Sequence, residues 1–156
     1  MGNVMSLYEN KIHLLNQQYR CDPKIIAFSN KRFYGSRIIN SVTVKRYQKE
    51  CSVEHPLLFI DIKKGKERRE RSSYKNEFEA NAICHLLLND NDIKKVRDEN
   101  NCATTMIITP YKAQRELLTK IINENWKLST LANLRVATVD SFQGQEGDIV
   151  VFSTVS

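Results

Sequence analysis

The sequence predicts an α/β domain, with a mostly parallel sheet covered by helices on both faces. Short apolar runs of strand length alternate along the chain with longer stretches of helical period. Two of the expected strands are continuously hydrophobic, which is typical of strands buried on both faces. Alternation of strands and helices is the pattern of βαβ units, and it favours a parallel sheet over an antiparallel one.

A helix and a strand are predicted in the first half of the chain. Asp22 followed by Pro23 is a favourable helix start, and Gly35 ends the segment. Residues 57–62 form a short apolar run between Pro56 and a basic loop, so we expect a buried strand there. The apolar positions of the helix recur at near-helical spacing: Ile25, Ile26, Phe28 and Phe33.

The second half predicts further helices and strands. Residues 77–88 read as an amphipathic helix, residues 89–92 break it, and a helical or loop stretch runs to about Asn101. Pro110 opens another helix. The expected strands are residues 106–109, 136–139 and 149–152. The side chains expected to face the core are Phe78, Ile83, Leu86, Leu87, Leu117, Leu118, Ile121 and Ile122.

The bulk composition is that of an ordinary globular protein. With 156 residues, of which 41% are hydrophobic and 27% charged, a single domain over residues 1–156 is expected. No apolar run approaches the ~20 residues that cross a bilayer, so no membrane partner is expected. No metal site or disulfide framework is expected either, because the cysteines and histidines are scattered: Cys21, Cys51, Cys84, Cys102, His13, His55 and His85. Free thiols favour a reducing compartment, the cytoplasm or nucleus.

The net charge of +6 makes a polyanionic partner plausible. Much of the excess lies in residues 63–71, the basic loop. A charge run of this kind is most often a mobile solvated loop. The functional alternative is a basic arm beside a phosphate backbone, where each neutralised phosphate adds roughly one unit to the salt slope of binding.

The most informative stretch is residues 137–151. An apolar run stops at a polar turn and a second apolar run follows, which predicts a strand, a loop and a strand. Gly144 and Gly147 free the backbone for close approach to a ligand. The loop and Thr109 both lie at carboxyl ends of strands, the edge where parallel sheets bind ligands. The loop's polar side chains are Asp140, Ser141, Gln143, Glu146 and Asp148, the last expected to cap the turn.

Four segments share their order with the motifs of a known family. They are T-V-D-S-F-Q-G-Q-E-x-D-I-V (138–150), L-N-Q-Q-Y-R-C-D-P (15–23), I-I-T-P-Y-K-A-Q (107–114) and the weaker S-x-x-N-x-x-E-A (73–80). The first resembles motif V of superfamily-1 helicases, and the second resembles motif IV with Cys21 at the usual methionine position. The similarity is greatest to the senataxin-like and nonsense-mediated-decay-helicase-like branch. It implies a RecA-like fold, an incomplete C-terminal helicase lobe.

The motif IV resemblance implies that Arg20 is the catalytic residue and contacts the γ-phosphate of ATP. A guanidinium suits this role because it stays charged and presents a planar fork of donors. The alternative is a surface ion pair with Asp22 or Asp61. Gln18 would buttress the arginine or contact the nucleotide. Tyr19 would pack beside the nucleotide or fill the core.

The motif V resemblance implies the other contacts. Glu146 would accept hydrogen bonds from the ribose of ATP, and Gly144 would let the backbone approach the nucleotide. Tyr111 would contact a nucleic-acid backbone, stack on a base or pack structurally. The residues expected to bind a single strand are Thr109, Pro110, Tyr111, Thr138, Ser141 and Gln143, with Lys112 and Gln114 as supporting candidates. Hydroxyl and amide contacts of this kind fix register without reading sequence.

The chain contains neither the G-x-x-x-x-G-K-[ST] phosphate cradle nor a D-E-A-x run, and it stops before the arginine-bearing motif VI. By resemblance it is a C-terminal ATPase lobe fragment of an ATP-dependent RNA or DNA helicase. Its expected partners are single-stranded nucleic acid and a first RecA-like lobe. The Mg²⁺ ion that accompanies ATP would be held mainly by that first lobe. The isolated chain is expected to be inactive. The alternatives are a catalytically inactive helicase-like module that binds nucleic acid or protein, and a nucleotide-binding domain of unrelated metabolism.

Overall fold

Two compact units make up the chain, residues 1–58 and residues 59–156. A computed structural model describes residues 15–44, 53–63, 65–131 and 133–155. His13, Cys51 and Lys64 therefore lie outside the described residues, and the single domain over residues 1–156 stays a prediction. Within the described ranges, no helix has both the length and the apolar character needed to cross a membrane.

The described part of the first unit includes two short strands and a longer helix. Strand β1 (Gln17–Gln18) pairs in parallel with β2 (Ile39–Asn40), and helix α1 (Pro23–Phe33) connects them in sequence. The carboxylate of Asp22 accepts a hydrogen bond of 2.7 Å from the backbone N–H of Lys24, which confirms the predicted helix start.

The apolar residues of α1 are not buried. None of its residues is buried, and Phe28 and Phe33 are 72% and 70% exposed. Their rings contact each other edge to face, with centroids 6.3 Å apart. Helical spacing identifies an apolar face but does not identify the element that covers it.

The predicted strand at residues 57–62 is wrong. The segment has no regular structure, and its first four apolar side chains are exposed: Leu57, Leu58, Phe59 and Ile60. An apolar run favours burial, but a strand also needs a neighbour whose backbone N–H and C=O groups pair with its own. No described strand pairs with this segment.

The second unit is organised around a three-stranded parallel sheet. Strand β5 (Thr105–Thr109) lies at its centre, between β6 (Leu134–Thr138) and β7 (Ile149–Phe152). These strands confirm the three that the sequence predicts, with small differences at their ends. The result is the expected α/β architecture, a parallel sheet with helices on both sides.

Four α-helices accompany this sheet, and their main apolar contacts form one cluster. Helix α2 is Glu77–Asn89, α3 is Asn91–Glu99, α4 is Lys112–Glu124 and α5 is Trp126–Ser129. The buried cluster is Ala80, Ile83, Cys84, Leu87, Ile107, Leu118, Ile122 and Leu128. Phe78 was expected in this core but is 57% exposed, because the buried face of α2 runs through Ala80 and Cys84 instead.

Part of the basic loop is an ordered hairpin. Strand β3 (Arg68–Glu70) pairs antiparallel with β4 (Ser73–Lys75). The turn between them carries Arg71 at a φ of 55°, a left-handed conformation that glycine or asparagine usually supplies. Because this turn lacks the usual residues, the sequence indicated a loop where the structure has two paired strands.

A buried polar network joins the starts of α2 and α4 to the residue that follows β7. The side chain of Gln114 accepts a hydrogen bond from the Asn76 N–H (2.8 Å) and donates to the Asn76 carbonyl (3.3 Å) and to Ser153 Oγ (3.1 Å). Ser153 Oγ in turn donates to Glu79 Oε1 (2.8 Å). All of these groups are buried, so each bond replaces one that water would otherwise supply.

Replacing Gln114 by leucine should strongly destabilise the fold. The change leaves the buried backbone groups of Asn76 and the Ser153 hydroxyl without their partner, so we expect the free energy of unfolding to fall by about 3 kcal/mol. Urea denaturation followed by circular dichroism measures it. Asn123→Leu is the matched control, since it removes an exposed amide from the same helix, and a similar loss in both variants would contradict the role of the network.

Candidate nucleotide and nucleic-acid site

The candidate site of the second unit lies at the carboxyl edge of its parallel sheet. Thr109 and Thr138, the last residues of β5 and β6, are directly opposite each other in the strand register. Ser153 follows β7 and donates its backbone N–H to the Ile108 carbonyl (2.8 Å). Three strand ends and the loops that follow them therefore share one edge, which is where α/β sheets bind ligands.

A pair of hydroxyl groups follows β6. The chain continues into a short 3₁₀ helix (Val139–Phe142), where Thr138 Oγ1 and Ser141 Oγ lie 3.1 Å apart. Phe142 is buried beneath this turn, while Ser141 is exposed. The buried ring holds the turn, so the hydroxyl pair is presented at the surface in a defined position.

The rest of the motif V loop is open to solvent. Gly144 has a φ of 83°, and a Cβ atom built there would contact nothing within 4 Å. The glycine is therefore required by backbone conformation and leaves this part of the main chain accessible. Gln143 and Glu146 are exposed on either side of it.

Asp148 has a structural role in this loop. Its Oδ2 accepts hydrogen bonds from the backbone N–H (2.8 Å) and the hydroxyl (2.9 Å) of Thr104, and its own N–H donates to Thr104 Oγ1 (3.2 Å). These bonds join the residues that precede β7 and β5. The turn-capping role expected for this carboxylate thus extends to a second strand.

The strand-to-helix segment after β5 corrects two sequence expectations. Thr109 is fully buried and its Oγ1 accepts the Tyr111 N–H (3.3 Å), so its side chain is not available to a nucleic acid. Gln114, a supporting candidate, is also fully buried, in the polar network. Pro110 and Lys112 are exposed, and they remain candidates.

Tyr111 contacts a residue that the sequence analysis did not single out. Its ring lies edge to face with Tyr74 of β4, with centroids 5.6 Å apart. Both rings are half-buried, so each keeps part of its surface accessible. The only signal for Tyr74 in the sequence was its place in the S-x-x-N-x-x-E-A segment.

The motif IV residues form a small turn in the first unit. Gln18 Oε1 accepts hydrogen bonds from the backbone N–H groups of Arg20 (2.9 Å) and Cys21 (3.1 Å). Its amide nitrogen donates to the Cys21 carbonyl (2.7 Å) and to Asn40 Oδ1 (2.6 Å). One glutamine side chain therefore fixes the backbone from which the exposed Arg20 extends.

The neighbours of Arg20 differ from expectation in one respect. Tyr19 does not fill the core, because it is 64% exposed and its hydroxyl donates to Gln17 Oε1 (2.8 Å). Burial and the charge of Asp22 raise the pKa of the Cys21 thiol, against an opposing effect of Arg20. Cys21 is therefore an uncharged thiol at neutral pH, close in character to the methionine usual at this position.

The predicted residues thus fall into two groups. Gln18, Tyr19 and Arg20 lie together in the first unit, whereas Tyr111, Thr138, Ser141, Gln143, Gly144 and Glu146 lie at the sheet edge of the second. Within the described ranges, no three His, Cys, Asp or Glu side chains are grouped so that they would hold a metal ion.

Comparison with known proteins places these features in a family. A family model described as an AAA domain matches residues 1–156. The chain is 31% identical over 158 residues to helicase sen1 of Schizosaccharomyces pombe, covering 97% of this chain and 9% of that protein. It is 30% identical over 144 residues to the probable helicase senataxin of Homo sapiens (90% and 5%). It is also 30% identical over 168 residues to the putative regulator of nonsense transcripts 1 of Takifugu rubripes (99% and 15%).

The chain spans between 5% and 15% of the length of these three relatives. The family match nevertheless covers every residue of the chain, and the parallel sheet carries the motif V and strand-to-helix segments at one edge. The chain therefore belongs to the AAA-domain family of superfamily-1 helicases, as a second RecA-like domain of the senataxin-like and nonsense-mediated-decay-helicase-like branch.

Proposed function

We propose that this chain is the C-terminal ATPase lobe of an ATP-dependent helicase, which binds ATP at a cleft between two lobes and holds a single nucleic-acid strand. The observation that carries the proposal is the exposed Thr138–Ser141 hydroxyl pair, followed by the open backbone at Gly144 and the exposed Glu146. Relatives named as helicases support the same reading at family level. A location in the cytoplasm or nucleus is part of this proposal.

The nucleotide contacts are assigned by the chemistry of the side chains. Arg20 is exposed on a turn that Gln18 holds in place, and its guanidinium has the charge and the planar donor geometry that suit a γ-phosphate. The Glu146 carboxylate accepts hydrogen bonds, as binding of ribose hydroxyls requires. ATP supplies the phosphoryl group for transfer, and the Mg²⁺ bound with it is held mainly by the partner lobe.

The nucleic-acid contacts are assigned to the sheet edge. The hydroxyls of Thr138 and Ser141 and the amide of Gln143 are uncharged groups suited to phosphate and sugar oxygens. Such groups fix the register of a strand without discriminating between bases. Tyr111 adds an aromatic ring at the same edge, which supports stacking on a base.

The rival function is a catalytically inactive module that binds nucleic acid or protein. The observation that suits it is the net charge of +6, since a basic surface can bind a polyanion without hydrolysing ATP. The two readings differ in nucleotide binding, because only the ATPase lobe needs Arg20 and Glu146 to contact ATP.

Replacing Ser141 by alanine should weaken binding of a single strand. Loss of one uncharged hydrogen bond is worth about 1 kcal/mol, so we expect a roughly five-fold rise in Kd with no change in its salt dependence. Fluorescence anisotropy with a labelled oligothymidylate measures both. Ser129→Ala, an exposed hydroxyl on α5, should bind like the unmodified chain; absence of binding at low salt by the unmodified chain would refute the strand site.

Titration with ATP and Mg²⁺ should shift the backbone amide NMR signals of residues 18–20 and of residues 144–146, because each segment contains groups assigned to the nucleotide. Arg20→Gln should reduce the shifts of residues 18–20. Arg37→Gln, an exposed arginine of the same unit, should leave them unchanged. If neither segment responds, the assignment to ATP is wrong and the inactive module is favoured.

The purified chain alone should show no Mg²⁺-dependent ATP hydrolysis above background. The phosphate cradle and a metal anchor are needed for turnover, and this sequence contains neither motif. A coupled assay for released phosphate measures the rate. Robust turnover that Arg20→Ala abolishes would contradict the assignment of this chain as half of a two-lobe site.

A further inference from the structure

The hairpin formed by β3 and β4 holds the basic loop's arginines in a fixed arrangement. Residues directly opposite each other in an antiparallel pair project from the same face. Arg68 is opposite Lys75 and Arg69 is opposite Tyr74. One face of the hairpin therefore carries Arg68 and Lys75, and the other carries Arg69 beside the ring of Tyr74.

Acidic groups offset the charge of the first face. Glu70 projects from it and forms an ion pair with Lys75, whose hydrogen bond lowers the pKa of the Glu70 carboxyl and keeps it ionised. Glu77 lines a small pocket on this side together with Lys66 and Arg68. This face is thus a mixture of both charges.

The second face keeps its positive charge. Neither Arg69 nor Arg71 forms an ion pair within the described part of the chain, and both side chains are exposed. The Nε of Arg69 donates to the Arg71 carbonyl (3.2 Å), which links the arginine of the strand to the arginine of the turn. Arg69 therefore stands opposite the half-buried Tyr74. Arg71 follows in the turn, where its charge adds to the lowering of the Glu70 pKa by Lys75.

Two contacts fasten the hairpin to the sheet edge already described. Ser73 Oγ accepts the backbone N–H of Ala113 in the first turn of α4 (3.1 Å), and Tyr74 packs against Tyr111. Before the hairpin, a Cβ atom at Gly65 would lie 2.7 Å from Asn76 Oδ1, so only glycine lets the backbone pass this closely. The hairpin is consequently held against Tyr111 through Tyr74, the residue directly opposite Arg69.

We propose that the Arg69–Tyr74 face, with Arg71 in the turn and Tyr111 beside it, binds the phosphate backbone of a single-stranded nucleic acid. This inference rests on the proposed function, and it extends the strand path beyond the Thr138–Ser141 pair. Guanidinium groups match phosphate oxygens in shape and charge, and tyrosine rings accept any base. Phosphate contacts and base stacking carry no sequence information, so binding is expected to tolerate any sequence.

The salt dependence of binding tests the proposal. The chain is titrated with a fluorescein-labelled oligothymidylate at several KCl concentrations, and log Kd is plotted against log salt. Each phosphate neutralised on a single strand contributes a slope of about 0.7, so Arg69→Gln/Arg71→Gly should reduce the slope by about 1.4. Glycine at position 71 suits the φ of 55° observed there, which favours retention of the hairpin.

Two controls accompany this variant. Lys120→Gln/Lys127→Gln removes the same charge from exposed positions on α4 and α5 and should change the slope by less than half as much. Arg69→Lys keeps the charge and should keep the slope. Arg71→Gly alone should lower the slope by about 0.7. This single variant replaces the double variant in the test if circular dichroism shows that the double variant does not fold.

The possible outcomes separate this inference from the proposed function. Equal changes of slope in the hairpin and control pairs would show a general charge effect and overturn the inference. An unchanged slope in the hairpin variant, with Ser141→Ala still weakening binding, would overturn the inference alone. No binding by the unmodified chain at low salt would overturn both.

Discussion

The buried amide of Gln114 is the interaction on which the functional edge of the second unit depends. It binds both backbone groups of Asn76 at the start of α2 and the hydroxyl of Ser153 after β7, from a position one turn into α4. Within the described part of the chain, Glu79 Oε2 is buried without a hydrogen-bond partner, and this desolvation cost offsets part of the stability that the network supplies.

The motif residues divide into those that hold the site and those that face solvent. In the first unit Gln18 holds a turn and Arg20 extends from it. In the second unit Thr109 and Gln114 are buried, while Ser141 and Glu146 are exposed. A motif match does not distinguish such residues. A family can share a buried amide that fixes a backbone as readily as an exposed hydroxyl that is available to a ligand. Burial distinguishes the two groups, and it leaves fewer side chains accessible to a ligand than the motifs contain.

Local sequence signals predicted the helices well. They predicted a strand correctly only where a neighbouring strand was available to pair with it. The Asp22 cap and the breaks around α2 and α3 depend on interactions within a few residues, so the helices begin and end close to where the sequence places them. Residues 57–62 have an equally clear apolar pattern, yet no described strand pairs with them. The β3–β4 hairpin was missed for the opposite reason, since its turn at Arg71 lacks the residues that usually mark one.

By itself the sequence determined the α/β class, the order of the motifs, and the chemical types available for binding nucleotide and nucleic acid. These follow from periodicity and residue identity, which are local properties of the chain. Only the tertiary structure decided that Thr109 faces inward, that Tyr19 faces outward, and that Tyr74 packs against Tyr111. Burial and contact between residues distant in the chain depend on how elements pack, and neither the spacing nor the identity of residues encodes that packing directly.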